Sequence, residues 1–341
     1  MPISVRKLAQ LLGVSPASVS LALNGKPGVS EETREKILAA ALQHGLKPVS
    51  PPAARKSSDI TLAVYRNHDS ICGDTEFFSA VIEGMNAEAC RRGFRLHVTY
   101  IYSDAWADRQ LEELRRSGAA GCVLLATEMQ PEDIQKFDDF PLPLVVLDSF
   151  FPGRSGAYVT IDNFDGARMA VRHLLSRGHR RIGHMASAVP ISNFSERKQG
   201  LLAALSEYPE ATLQSFPVGT TPEQAYSDMS AHLRRRPFDP ALYPTAFFAD
   251  NDIIAVSCIR AFREWGVRIP EDISVIGFDD AEYAKMCFPG LTTIRQNIME
   301  KGRQAARLMI EAVQNHGLPR VERIIPMELI ERGTVMEVYG N

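Results

Sequence analysis

Val5-Arg6-Lys7-Leu8-Ala9-Gln10-Leu11-Leu12-Gly13-Val14-Ser15-Pro16-Ala17-Ser18-Val19-Ser20-Leu21-Ala22-Leu23 spells two short helices and the bend between them. Ser4 can cap the first, whose apolar residues Val5, Leu8, Ala9 and Leu12 recur at helical period. Gly13 breaks it. Ser15 is a second capping residue, and Pro16 follows at the first helical position, where a missing N–H costs nothing. The second helix then runs through Leu23 and buries Val19 and Leu23. Asn24 to Gly28 reads as a turn cluster. Ser30 caps a third helix, with Glu31 and Glu32 against the positive end of its dipole. That helix repeats apolar residues at Ile37, Ala40 and Ala41 and is expected to end at Gly45. Two short helices joined by a Gly-containing turn and braced by a third make a helix-turn-helix, whose second helix enters the major groove of DNA.

Charge separates this module from the rest. Residues 1–56 carry eight Lys or Arg against three acids, a net +5, while the remainder carries 30 against 38, a net −8. A basic module on an acidic body points to a polyanion as the module's partner. The 341 residues suggest two or three compact units at roughly 100–200 residues each. Five scattered cysteines without a C-x-x-C pair argue against a disulfide framework or a zinc site. No secretory signal opens the chain and no apolar run is long enough to span a membrane, so a cytoplasmic location is expected.

The stretch Val5–Gly25, followed by Val29-Ser30-Glu31-Glu32-Thr33-Arg34-Glu35-Lys36-Ile37, resembles the opening of LacI/GalR-type transcription regulators. The resemblance implies that Pro16, Ala17 and Leu21 face bases while Ser15, Ser20 and Asn24 lie near phosphates. Many members carry Arg at the position of Leu21; leucine cannot clasp guanine but can pack on a thymine methyl. Residues 47–59 are rich in Pro, Ser and Ala, as a linker is. In the family a leucine from each subunit wedges into the minor groove here, and this chain has no leucine between Lys47 and Asp59. Arg55 offers a cation either to a narrow minor groove or to a phosphate.

From Ile60 onward, short apolar runs alternate with amphipathic stretches. Strands are expected at Ile60–Val64, Phe94–Tyr100, Gly121–Leu125 and Leu144–Leu147, with helices at Phe77–Arg92, Ala105–Ser117 and Pro131–Phe137. The alternation restarts at Val159–Ile161 and continues through strands at Ile182–Met185, Leu213–Phe216, Ala246–Phe248 and Ile273–Phe278. Repeated βα units imply parallel sheets covered by helices. They are too many for one sheet, so two lobes follow, with a ligand in the cleft at the carboxyl ends of the strands.

The resemblance extends across this body. It rests on Asp74-Thr75-Glu76-Phe77-Phe78, Ile161-Asp162-Asn163-Phe164-Asp165-Gly166, Glu196-Arg197-x-x-Gly200, Phe248-Ala249-Asp250-Asn251-Asp252, Ile276-Gly277-Phe278-Asp279-Asp280 and Leu291-Thr292-Thr293-Ile294-Arg295-Gln296. The fold so implied is an all-α helix-turn-helix headpiece followed by two doubly wound α/β lobes of periplasmic-binding-protein type. Its expected divisions are a headpiece at 1–46, a hinge linker at 47–59 and a two-lobed body at 60–341. The first lobe takes about 60–161 plus 292–325, the second about 162–291 plus 326–341.

Arg197 offers a planar fork of donors suited to vicinal hydroxyls or a carboxylate, and Asp279 accepts from ligand hydroxyls. Asn251 can donate and accept. Phe77 and Phe78 are candidates for an apolar wall, with Asn193 and Gln296 completing a polar ring. Asp252 reads as a helix cap.

Asp279 and Asp280 are adjacent, and neighbouring strand residues point to opposite faces, so they do not read as a catalytic pair. The histidines lack metal spacing, and no phosphate-loop or nucleophile-elbow pattern occurs. Neither catalysis nor a cofactor is expected. The resemblance implies a homodimer on a near-palindromic double-stranded DNA operator, modulated by a small-molecule effector. It favours a sugar, with purines also among family effectors. A small-molecule binding protein of periplasmic type would explain the body but has no use for Ser4–Gly45.

Overall fold

The computed structural model describes residues 3–23, 28–44, 58–67, 75–104, 107–315, 317 and 319–338. The chain divides into two units, Met1–Ser57 and Ser58–Asn341.

The first unit holds α1 (Val5–Leu12), α2 (Pro16–Leu23) and α3 (Glu31–Gln43). Each begins where a hydroxyl satisfies an orphan N–H. Ser4 Oγ accepts from Lys7 N at 3.3 Å, Ser15 Oγ from Ser18 N at 3.0 Å, and Ser30 Oγ from Thr33 N at 3.4 Å. Gly13 ends α1 at φ 65°, a left-handed conformation that costs glycine nothing. Leu8, Ala9, Val19, Ala22, Leu23, Ile37 and Ala41 meet in one small core. Burying a Leu or Val contributes ~1.5–3 kcal/mol, so every helix depends on the other two.

In the second unit, β1 (Asp59–Arg66), α4 (Thr75–Arg91), β2 (Arg95–Tyr102), α5 (Ala107–Arg116), β3 (Gly121–Leu125), β4 (Leu144–Leu147) and β5 (Ala157–Ile161) build the first lobe. Asp133–Phe137 is a 3-10 turn where a longer helix was expected. The second lobe follows with α6 (Asn163–Ser176), β6 (Arg181–Ser187), α7 (Ser192–Ser206), β7 (Thr212–Val218) and α8 (Pro222–Arg235). It is completed by β8 (Ala246–Ala249), α9 (Asp252–Glu264), β9 (Ser274–Ile276) and α10 (Glu282–Met286). The chain returns through β10 (Thr293–Gln296) to α11 (Ile298–Gln314) and β11 (Val321–Ile325), then leaves by β12 (Met327–Ile330).

Among the described residues the first sheet has the order β11-β5-β4-β3-β1-β2 and the second β7-β6-β8-β9, both parallel. Both faces of the central strands are covered, so β3, β4 and β8 read as unbroken apolar runs, while the edge strands β2, β7 and β11 mix polar and apolar residues. In β1, Ile60, Leu62 and Val64 join the core that includes residues of α4 and α11, while Ala63 and Tyr65 join the core that includes residues of α5. The alternation of side-chain direction along a strand makes one run serve two cores. No helix among the described residues is long and apolar enough to cross a membrane.

β5 pairs with β4 and β11 in the first sheet, and the chain crosses to the second lobe after it. One strand assignment differs from the sequence reading. The run Ile273–Phe278 is strand only over Ser274–Ile276, because Asp279 and Asp280 take left-handed backbone that no strand continues through. The periodicity also left α11, β10, β11 and β12 unassigned. The short antiparallel ribbon of β10 and β12 pairs Thr293 with Ile330 and Gln296 with Met327, and it carries two of the passages between the lobes.

Candidate functional site

A cavity of about 350 Å³ lies between the lobes. Its walls come from the segments just past strand ends and from the starts of helices. Thr127 follows β3, Asp148 follows β4, Thr220 follows β7, and Asp279 and Asp280 follow β9. Phe77 stands in the first turn of α4, Asn193 and Arg197 on α7, and Asn251 at the start of α9. Helix N-termini and strand C-termini converge here because βα connections all leave a parallel sheet on the same side.

Asp148, Asp279 and Asp280 have φ of 72°, 119° and 60°. Among the described residues they are the non-glycine residues with positive φ, and all three line the cavity. Such backbone costs of order 1–3 kcal/mol per residue and persists where surrounding contacts hold it. The contacts are present. Asp279 Oδ1 accepts from Gln296 Nε2 at 2.7 Å and from Arg197 Nη2 at 3.4 Å. Asp148 Oδ2 accepts from Thr127 Oγ1 at 2.6 Å and Asn193 Nδ2 at 3.3 Å, and its other oxygen accepts from Lys301. Asp280 is gripped by Arg295 at 2.7 Å and by Arg332.

Arg197 is 3% exposed. Its Nε donates to Asn163 Oδ1 at 2.9 Å, Nη1 donates to the Asp250 carbonyl, and the guanidinium lies over the Phe278 ring. The planar fork is therefore held from behind and presents its edge to the cavity.

Phe77, Asn193, Arg197, Asn251, Asp279 and Gln296 all line the cavity. Phe78 is not in its lining. It belongs to the core of the first lobe, 7% exposed, with its ring 6.2 Å from that of Tyr100. Adjacent helical residues are about 100° apart around the axis, so one faces the cavity and its neighbour the sheet.

The cap of α9 is Asn251, where Asp252 was expected. Asn251 Oδ1 caps α9 by accepting from Ile254 N at 2.9 Å, which leaves its amide N–H groups for a ligand. Asp252 is fully buried and accepts from Thr293 Oγ1 at 2.6 Å and Ala281 N at 2.9 Å. Burial, reinforced by the nearby Asp279 charge, pushes its carboxyl well above the usual carboxylate range. Asp279 and Asp280 both reach the cavity although alternation along a strand would have separated them, because the strand has already ended.

Asp148, Thr127 and Lys301 were not anticipated from the sequence. Asp148 had the same signal as Asp279, an acid directly after an apolar run. Lys301 had none, since a lysine on an amphipathic helix reads as surface.

On the first unit, Ser15, Pro16, Ala17 and Ser20 are exposed along α2 and Leu21 is half-buried. Ser15 is doubly engaged, capping α2 and bonding Ser18 Oγ at 2.8 Å. Asn24, Arg55, Asp74 and residues 47–57 of the linker lie outside the described residues.

Comparison with known proteins gives matches over both units. Residues 5–48 match the family described as bacterial regulatory proteins, lacI family, and residues 171–335 match a periplasmic binding protein-like domain. The HTH-type transcriptional regulator GalS of Salmonella typhimurium is 32% identical over 316 residues, covering 91% of this chain and 89% of that protein. The HTH-type transcriptional repressor PurR of Haemophilus influenzae is 28% identical over 342 residues, covering 98% and 99%. Among solved structures, a transcriptional regulator CelR–cellobiose complex superposes with a TM-score of 0.72 at 26% identity, covering 98% of this chain and all of that one.

Proposed function

The chain belongs to the LacI family of bacterial regulatory proteins, and on that premise we propose that it is a cytoplasmic transcription repressor. Its affinity for a near-palindromic operator is set by a small molecule bound between the lobes. The proposed division of labour is residues 1–46 for DNA, 47–59 for coupling and 60–341 for sensing. Ser15, Pro16, Ala17, Ser20, Leu21, Asn24 and Arg55 meet the duplex; Phe77, Asn193, Arg197, Asn251, Asp279 and Gln296 meet the effector.

The observation that carries the effector reading is the pairing of charge around the cavity. Arg197 faces Asp279, Arg295 faces Asp280, Lys285 faces Glu282, and Lys301 faces Asp148. A charged ligand would have to displace one of these partners. A neutral polyhydroxylated molecule offers hydroxyls that both donate and accept, and so matches the existing pairs. At about 350 Å³ the cavity lies at the small end of the range for small-molecule sites. A sugar meets both requirements.

A homodimer follows from the operator's two-fold symmetry, since a single +5 headpiece binds weakly and pairing raises effective concentration. Met286 and Phe288 are 79% and 87% exposed, and we place an apolar contact with the second copy there. The test is binding of the full chain to sites selected from random DNA, over a salt series, with and without sugars and nucleobases ranked by thermal shift. Expected are log affinity falling by ~0.9 per phosphate neutralised and a sugar that changes operator affinity by about 5–150-fold. No preference over random DNA at any salt sinks the regulator reading; stabilisation by nucleobases alone sinks the sugar.

A further inference from the structure

Lys301 lies on α11 in the first lobe, fully buried and outside the lining of the cavity. A buried ammonium is tolerated only where partners satisfy its charge and its donors. It donates to the Asp148 carboxylate and, at 3.0 Å, to Gln296 Oε1, and it lies 4.8 Å from the centre of the Phe77 ring. All three partners line the cavity.

The bonds continue beyond those partners and close on themselves. Asp148 accepts from Asn193; Gln296 donates to Asp279; Asp279 accepts from Arg197. Asn193 and Arg197 stand one turn apart on α7. The result is a ring running from α7 to the end of β4, to α11, to the end of β10, past the end of β9 and back to α7. Asp148 and Lys301 belong to the first lobe, Asn193, Arg197 and Asp279 to the second, and Gln296 to a strand that passes between them.

Donor and acceptor chemistry gives the ring a direction. Ammonium and guanidinium groups only donate, and ionised carboxylates only accept. Gln296, standing between an ammonium and a carboxylate, must turn its oxygen to Lys301 and its N–H to Asp279. Its amide orientation is imposed by those two neighbours.

We propose that Lys301 is a positioning residue that acts from behind the cavity wall. It sets the amide of Gln296, holds Asp148, and through the ring ties the lobes together before any ligand enters. A ligand touching Asn193, Arg197, Asp279 or Gln296 engages members of that ring, so occupancy and lobe coupling draw on the same hydrogen bonds. The ring is built wholly from this chain's own side chains and does not depend on which effector binds.

The test measures lobe separation in the ligand-free full chain, by energy transfer between dyes on unnatural residues introduced at Glu113 in the first lobe and Arg234 in the second. Lys301→Met keeps the aliphatic stem and removes the charge. Lys301→Met combined with Asp148→Asn removes both charges, so no unpaired carboxylate compromises folding. Gln296→Met cuts the next link and leaves the Lys301–Asp148 pair intact. Each variant is expected to move the lobe-distance distribution the same way, raising the minor population by about threefold or more, and Lys301→Met with Gln296→Met is expected to move it no further than the larger single change. If Lys301→Met does not fold, the other two variants carry the comparison. A folded variant with a lower melting temperature and the wild-type distribution overturns the proposal, as does full additivity of the two cuts.

Discussion

The guanidinium carbon of Arg197 lies 3.7 Å from the centre of the Phe278 ring, and the same guanidinium donates to Asn163, to the Asp250 carbonyl and to Asp279. Phe278 belongs to the core and Asp279, the next residue, to the cavity, so one side chain joins packing to recognition.

Arg197→Ala is therefore expected to cost more than ligand affinity. It strands the acceptors that the fork satisfies and uncovers Phe278. Breaking one side of a buried pair costs about 3–5 kcal/mol, which a urea midpoint on the purified body measures directly. Arg197→Lys restores charge without the fork, and should recover part of the stability while leaving sugar binding impaired.

Gly200→Ala tests the packing of α6 on α7. A Cβ there would lie 2.0 Å from the Phe164 carbonyl oxygen, which is backbone and cannot swing aside. The helices must separate, at about 1–3 kcal/mol, read as a lower denaturant midpoint with an unchanged slope.

His179 predicts a pH dependence. Burial pushes its imidazole down to about 4, and it bonds Thr245 Oγ1 at 3.0 Å and Ser274 Oγ and the Met336 carbonyl at 3.1 Å. The unfolded histidine titrates near ~6.5. Below that pH the unfolded chain binds a proton that the folded chain refuses, so stability falls as pH drops from about 6.5 toward 4. Asp252, raised by burial, works in the opposite direction, since it favours the fold when protonated. Comparison with His179→Gln isolates the histidine: its stability should decline less over that window in pH-dependent urea melts.

Leu21→Arg tests base reading by α2. Leu21 is half-buried, with its Cδ1 close to the Gly28 backbone. An arginine there can clasp guanine, a contact worth ~1–3 kcal/mol of discrimination. Site selection from random DNA should gain a G·C pair in each half-site; an unchanged preference rejects the assignment.

Met286→Ser with Phe288→Ser tests the association surface. Sedimentation should show a shift toward monomer, with operator affinity falling as pairing is lost while the melting temperature of the protomer stays within a few degrees. A dimer of unchanged strength places the contact elsewhere.

Much of this protein was legible from local chemistry. Ser4, Gly13, Ser15 and Pro16 punctuate α1 and α2 because capping and left-handed backbone act over three or four residues, and the helices occur where those residues require. Strand ends located Asn251 and Asp279 for the same reason: a βα turn follows directly from an apolar run that stops. The acidic body and basic headpiece could be separated by counting charges along the chain.

Other assignments needed the chain to be folded. Whether Phe77 or Phe78 faced the cavity depended on the rotation of α4 against its sheet, a matter of packing that two adjacent phenylalanines cannot announce. Asn251 became the cap and Asp252 the buried acceptor because Thr293 and Ala281, from other segments, came within reach of Asp252. Lys301 meets Asp148 across 153 positions of sequence. Local propensity and period are blind to a contact of that separation. It exists only when two sheets and the strands that pass between them set three segments side by side, and that arrangement is what turns a surface-reading lysine into a buried member of a ring.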